Sequence, residues 1–158
     1  MTKATPPQTP QNQNNLEEWQ PYELDHYAQE LVMKYRDKKD VLNESHKMRM
    51  TVAYGLERFW GEPFRLEKES KEKATYWKDV WSNLAEILQK TGIKLPNDNI
   101  SSDEKERKKK EEEESKNIQA MVKKIWGMEQ AEREISLMVL TQFCDCLVWW
   151  TQRFKIKN

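Results

Sequence analysis

Glycine is scarce in this chain. Four glycines and six prolines stand among 158 residues, and three of the prolines fall in the first ten positions. So few turn residues exclude a fold of many short strands and favour long helices. The same scarcity excludes a glycine-rich phosphate cradle, because Gly55, Gly61, Gly92 and Gly127 are scattered singly. There are only two cysteines, two positions apart, so no disulfide framework exists. Net charge is also missing: 27 basic residues balance 27 acidic ones, which leaves no whole-molecule attraction to nucleic acid or to an acidic membrane. Any such binding has to come from a local patch. No apolar run reaches the length of a membrane span. Residues 1–15, MTKATPPQTPQNQNN, have no apolar centre of a secretory signal, so elimination points to the cytoplasm.

What is present is helical rhythm. Residues 1–15 are rich in Pro, Gln, Asn and Thr and read as a disordered tail, with residues 16–158 as a single helical-bundle domain. Pro21 suits the first turn of a helix. From there Leu24, Tyr27, Ala28, Leu31, Val32 and Tyr35 keep an i, i+3, i+4 spacing. A second helix is expected to open at Asn43 or Ser45, both good N-caps, and to carry Met48, Val52, Leu56, Phe59 and Trp60. Gly61 and Pro63 are expected to stop it. A third is expected over about residues 66–91, with Ala74, Trp77, Trp81, Leu84 and Leu88 inward and Gly92 at its C-terminal cap.

Ser101 and Glu104 have the spacing of a capping box. The segment 103–116, DEKERKKKEEEESK, then contains no apolar residue. It reads as a charged helical extension or linker over 101–117, with acid-before-base pairs such as Asp103–Arg107 and Glu104–Lys108. The four glutamates beside Lys108, Lys109 and Lys110 argue against a nucleic-acid contact there. Ile118, Met121, Val122 and Ile125 return the helix to a core, and Gly127 is a break. The last helix, about 129–154, is apolar on most sides. That places it in the middle of a bundle or at an interface. The fold class is therefore all-α, a bundle of about five helices.

The chemistry is sparse. Cys144 and Cys146 flank Asp145, but on a helix i and i+2 point about 200° apart and cannot both face one ion. They read as small buried hydrophobes, and no metal or other cofactor is expected. Asp145 is expected to be exposed or paired with a basic side chain. A nucleophile motif is missing, so no enzyme is expected. The best remaining lead is basic. Lys34, Arg36, Lys38, Lys39, Lys47, Arg49 and Arg58 cluster around the end of the first helix and the second, and RFKIK at 153–157 adds a basic C-terminus. Should these groups meet in space, they would form a stripe able to hold phosphates without reading bases.

Two segments carry a family resemblance. YAQELVMKYRDKKDVLNESHKMRMTVAYGLERF, residues 27–59, has an amphipathic helix, a short basic break and a polar segment leading into a helix with basic residues. LTQFCDCLVWWTQRFK, residues 140–155, has aromatics around a single acid and a basic end. Together these resemble the small subunit of class 1 (multi-subunit) CRISPR effector complexes of the type III or type I-D kind. The charged segment 103–116 departs from that family's compact pattern. The resemblance implies a non-catalytic bundle that stacks with copies of itself among other effector subunits. It would contact guide RNA or a target or displaced strand through the backbone. Lys38, Lys39, Lys47 and Arg49 would carry that contact, with Arg58, Arg153 and Lys155 beside them, and Trp149 and Trp150 would serve subunit contacts. The alternatives are a helical adapter or oligomerising scaffold with no nucleic-acid role, and a small toxin, antitoxin or regulator. No helix pair here matches a helix-turn-helix well.

Overall fold

A computed structural model describes residues 21–156. The tail expected at 1–15 lies outside the described residues. Within them the chain is helical, with no strand. Six α-helices follow one another: α1 (Pro21–Tyr35), α2 (Glu44–Thr51), α3 (Leu56–Leu66), α4 (Lys71–Gln89), α5 (Arg107–Trp126) and α6 (Gln130–Phe154). Short 3-10 turns, Val41–Asn43 and Val52–Tyr54, lie on either side of α2. Helices α1 and α6 form the most extensive pair, α2 packs on α6, and α3 packs on α4. Helix α5 rests mainly on α3.

The apolar stripes explain this arrangement. Leu24, Ala28, Leu31, Val32 and Tyr35 of α1 are buried, as are Val139, Leu140, Phe143, Cys144 and Leu147 of α6. Helix α4 contributes Ala74, Tyr76, Trp77, Val80, Trp81, Leu84, Ile87 and Leu88 to the same core. Burial of a large side chain is worth about 1.5–3 kcal/mol, so these stripes dominate the stability of the bundle.

The expected second helix is two helices. The break falls at Gly55, not at Gly61 or Pro63. Gly55 has φ +99°, a conformation open to glycine and strained for other residues. Gly61 lies within α3, and so does Pro63, whose ring is buried. Leu56, Phe59, Trp60, Pro63 and Leu66 form one buried face, and that packing outweighs the hydrogen bond that Pro63 cannot donate. The third expected helix also starts later. Leu66 closes α3, and Ser70 caps α4 by accepting from the Lys73 N–H at 3.3 Å. Gly92, at φ +86°, follows the end of α4 as expected.

The capping box does not form. Ser101 donates its N–H to Asn99 Oδ1 at 3.0 Å, and Ser102 Oγ accepts from the Glu104 N–H at 3.1 Å. These local turns keep the chain out of a helix until Arg107, so the pairs expected from Asp103 and Glu104 are not on a helix. The charged segment is helical from Arg107 onward, and Gly127 ends α5. No described helix is long and apolar enough to cross a membrane.

Candidate anion-binding cleft

Two distant parts of the chain meet at one end of the bundle. Helix α1 finishes at Tyr35, whose ring packs 4.9 Å from that of Tyr76 and whose hydroxyl donates to Asp79 at 2.5 Å. The Lys38 N–H bonds back to the Tyr35 carbonyl at 3.0 Å and begins the turn. Asp40 reverses the chain with φ +62°, a left-handed conformation that Asp tolerates better than most residues. Val41 and Leu42 are buried and pin the turn to the core. Anchored on one side only, the turn leaves Arg36, Lys38 and Lys39 exposed.

The C-terminal end of α6 is fixed against the same place by a buried set of hydroxyls. Ser45 Oγ lies 2.7 Å from Tyr76 Oη and 2.8 Å from Thr151 Oγ1. Burial leaves each hydroxyl dependent on the others, since none can turn to water. It also raises the ionisation of Tyr76 well above the usual range. Thr151 thus places Lys155, one helical turn later, over the turn, where it donates to Asn43 Oδ1. The result is a cleft of about 290 Å³ lined by Arg36, Asp37, Lys38, Lys39, Asp40, Leu42, Asn43, Lys155 and Ile156. Four cations face two carboxylates there, a local positive excess on a chain of zero net charge.

The structure brings together Lys38, Lys39 and Lys155 of the expected set. It holds the others elsewhere. Lys47 sits 3.1 Å from Glu44, and Arg49 Nε donates to Asp145 Oδ1 at 2.5 Å. Arg58 covers the Tyr54 ring at 5.6 Å, and Arg153 covers the Trp149 ring at 3.8 Å. Lys38 has a looser neighbour in Glu72 at 3.7 Å, and Lys39 has no ion-pair partner among the described residues. Arg36 and Asn43 complete the cleft. Arg36 was visible as part of the basic cluster, but nothing in the sequence singles out Asn43 as the contact of Lys155.

The Cys144–Asp145–Cys146 stretch resolves into three environments. Cys144 is fully buried in the core, and burial pushes its thiol far up. Cys146 is half-buried, and burial followed by the nearby Asp25 carboxylate pushes its thiol to about 12. Both sulfurs are therefore protonated and unreactive at neutral pH. Asp145 is exposed and ties α6 to α2 through Arg49. Among the described residues no cluster of His, Cys, Asp and Glu is placed to hold a metal ion.

Trp149 is 46% exposed, whereas Trp150 is committed within the chain. The Trp150 indole donates to Asp25 Oδ1 at 3.0 Å, and its ring stacks on Phe154 with centroids 5.4 Å apart. It joins α6 to α1.

Glu44 is the most deeply placed charge. It is fully buried at the start of α2, and its Oε1 accepts from the Trp77 indole at 3.1 Å. Lys47 approaches Oε2 as an ion pair without the alignment of a hydrogen bond, so that oxygen has no hydrogen-bond partner. No helical spacing marks Glu44 as a carboxylate that would be buried at a helix start.

Comparison of the chain with protein families, curated proteins and solved structures gives no match.

Proposed function

We propose that this chain is a non-catalytic helical subunit that holds a nucleic-acid backbone at the cleft between the α1–α2 turn and the end of α6. The observation that carries this reading is the meeting of Arg36, Lys38 and Lys39 with Lys155 across more than a hundred residues of sequence. A cleft with excess cations and no base-reading aromatic in its lining suits phosphates rather than bases. On the resemblance of residues 27–59 and 140–155, the protein is the small subunit of a class 1 CRISPR effector complex. Its partners are then other effector subunits, copies of itself, and guide or target strands. The pairing of Lys47 and Arg49 narrows the contact to Arg36, Lys38, Lys39 and Lys155.

A second reading is a helical adapter with no nucleic-acid role. It is favoured by the zero net charge and by the carboxylates already beside Lys38, Lys47 and Arg49. Titration of the full chain with a labelled single-stranded oligonucleotide across a range of salt separates the two. With Lys38→Glu, Lys39→Glu and Lys155→Glu together, affinity should fall and the slope of log K against log salt should shrink by about two. Arg58→Glu should change neither. Equal affinity and slope in the triple variant would leave the adapter reading standing.

A further inference from the structure

Neighbouring residues on a helix point about 100° apart, so the pair Trp149-Trp150 cannot share one fate. Trp150 turns to α1 and is fixed there by Asp25 and Phe154. Trp149 turns to water. Its ring abuts that of Trp150 edge to face, with centroids 4.7 Å apart, so a fixed neighbour steadies it. One turn later, the Arg153 guanidinium lies 3.8 Å from the Trp149 ring centroid. That is a cation–π contact. Arg153 donates to the Trp149 carbonyl and to Gln152 Oε1, each at 3.3 Å. Both acceptors are neutral, so among the described residues no carboxylate offsets its charge. Trp126 is also exposed, but it ends α5, which rests on α3, and carries no such cation.

The place of Trp149 matters as much as its exposure. Helix α2 runs antiparallel to the end of α6: Arg49 meets Asp145, Ser45 meets Thr151, and Asn43 meets Lys155. Trp149 stands on α6 within that stretch. Lys155 of the basic cleft is six residues further on, about 9 Å of helix rise, with Arg153 between them. The cleft itself holds cations and no aromatic ring, which suits phosphates. Trp149 supplies, beside it, the aromatic surface that the cleft lacks. A basic groove with an aromatic ring next to it is the arrangement that holds single strands, whose bases are free to stack. Bases stack on guanidinium planes as well as on aromatic rings, and Trp149 and Arg153 present both together. A duplex has no unstacked base face to offer.

We propose that Trp149, with Arg153 laid on it, is a stacking platform for a nucleobase of a single strand whose phosphates lie in the basic cleft. The inference rests on the nucleic-acid reading and deepens it: the ligand is single-stranded, and it is held by a base as well as by its backbone. Stacking tolerates any base, so the platform adds affinity without reading sequence.

The test titrates the full chain with two strands of equal length and charge, a thymidine oligonucleotide of about twelve nucleotides and its abasic counterpart. The parent chain should bind the thymidine strand about tenfold tighter. Trp149→Ala should remove that preference by weakening the thymidine strand to the level of the abasic one, with the salt slope kept. Trp149→Phe should keep part of the preference, and Trp126→Ala all of it. The triple charge variant should instead weaken both strands and flatten the slope. Equal affinity of the parent chain for the two strands would overturn the platform and leave the phosphate cleft standing. So would a preference that survives Trp149→Ala or vanishes equally in Trp126→Ala. Binding of neither strand would overturn the nucleic-acid reading and the platform together.

Discussion

Helices α5 and α6 are neighbours in sequence and differ in what holds them. Helix α6 runs for 25 residues and buries Ser136, Val139, Leu140, Phe143, Cys144, Leu147 and Thr151. Helix α5 runs for 20 and buries Met121 and Ile125 alone. The first half of α5, from Arg107 to Lys116, is almost wholly exposed, and its first turn is basic, the wrong sign for a helix N-terminus. Lys123 and Lys124 in the last turn have the right sign. Tertiary packing makes α6 a helix. In α5 it anchors only the C-terminal half, and propensity carries the rest. One helix is thus part of the cooperative core, and the other is a satellite docked on α3.

The sharpest way to break that contrast is to cut a core contact of α6. Phe143 is fully buried, and Phe143→Ala should cost about 3–5 kcal/mol of global stability, read as a lower urea midpoint with an unchanged slope. A cost below about 1 kcal/mol would mean that α6 is not the centre of the bundle.

The corresponding cut in α5 should act locally. Met121→Ala and Ile125→Ala together remove both buried anchors. Amide exchange over residues 107–126 should then become fast, as expected for a low-stability unit. Helices α1, α4 and α6 should keep their protection, and the main unfolding transition should move by about 1 kcal/mol or less. A global loss as large as that of Phe143→Ala would make α5 part of the core after all.

This difference also explains what could be read from sequence. Helices α1 and α6 and the inner face of α4 were legible because their apolar residues recur at helical spacing and burial follows the pattern directly. Gly127 and Gly92 were legible as ends. The split at Gly55 was not, because nothing local separates a glycine that turns the chain from one, Gly61, that stays in a helix. Pro63 misled for a related reason: the packing of Phe59, Trp60 and Leu66 overrides a local penalty. The cleft was half legible. Clustering picked out Lys38, Lys39 and Lys155, but Arg49 finds Asp145 across 96 positions, and no helical rule pairs residues so far apart. The alternatives left open for Asp145, exposure or a basic partner, both hold, since it is exposed and bound to Arg49.

The smallest effect belongs to the exposed turn of α5. Arg107 lies 3.3 Å from Glu111, with both side chains largely in water. The pair runs base before acid, the weaker order, and exposed pairs on a helix are worth about 0.3–0.5 kcal/mol at best. Arg107 also sits at the positive end of the helix dipole, so removing it relieves a repulsion of comparable size. The two effects oppose, and Arg107→Ala should shift the opening free energy of residues 107–114 by less than about 0.3 kcal/mol. Arg107→Glu goes further: it removes the pair, sets like charges four apart, and places an acid where the dipole favours one. High salt should bring both variants closer to the parent chain, because every one of these interactions is screened. Amide exchange at low and high salt reads the shift. A change above about 1 kcal/mol in Arg107→Ala would show that a fixed contact, not solvated charge, orders the start of α5.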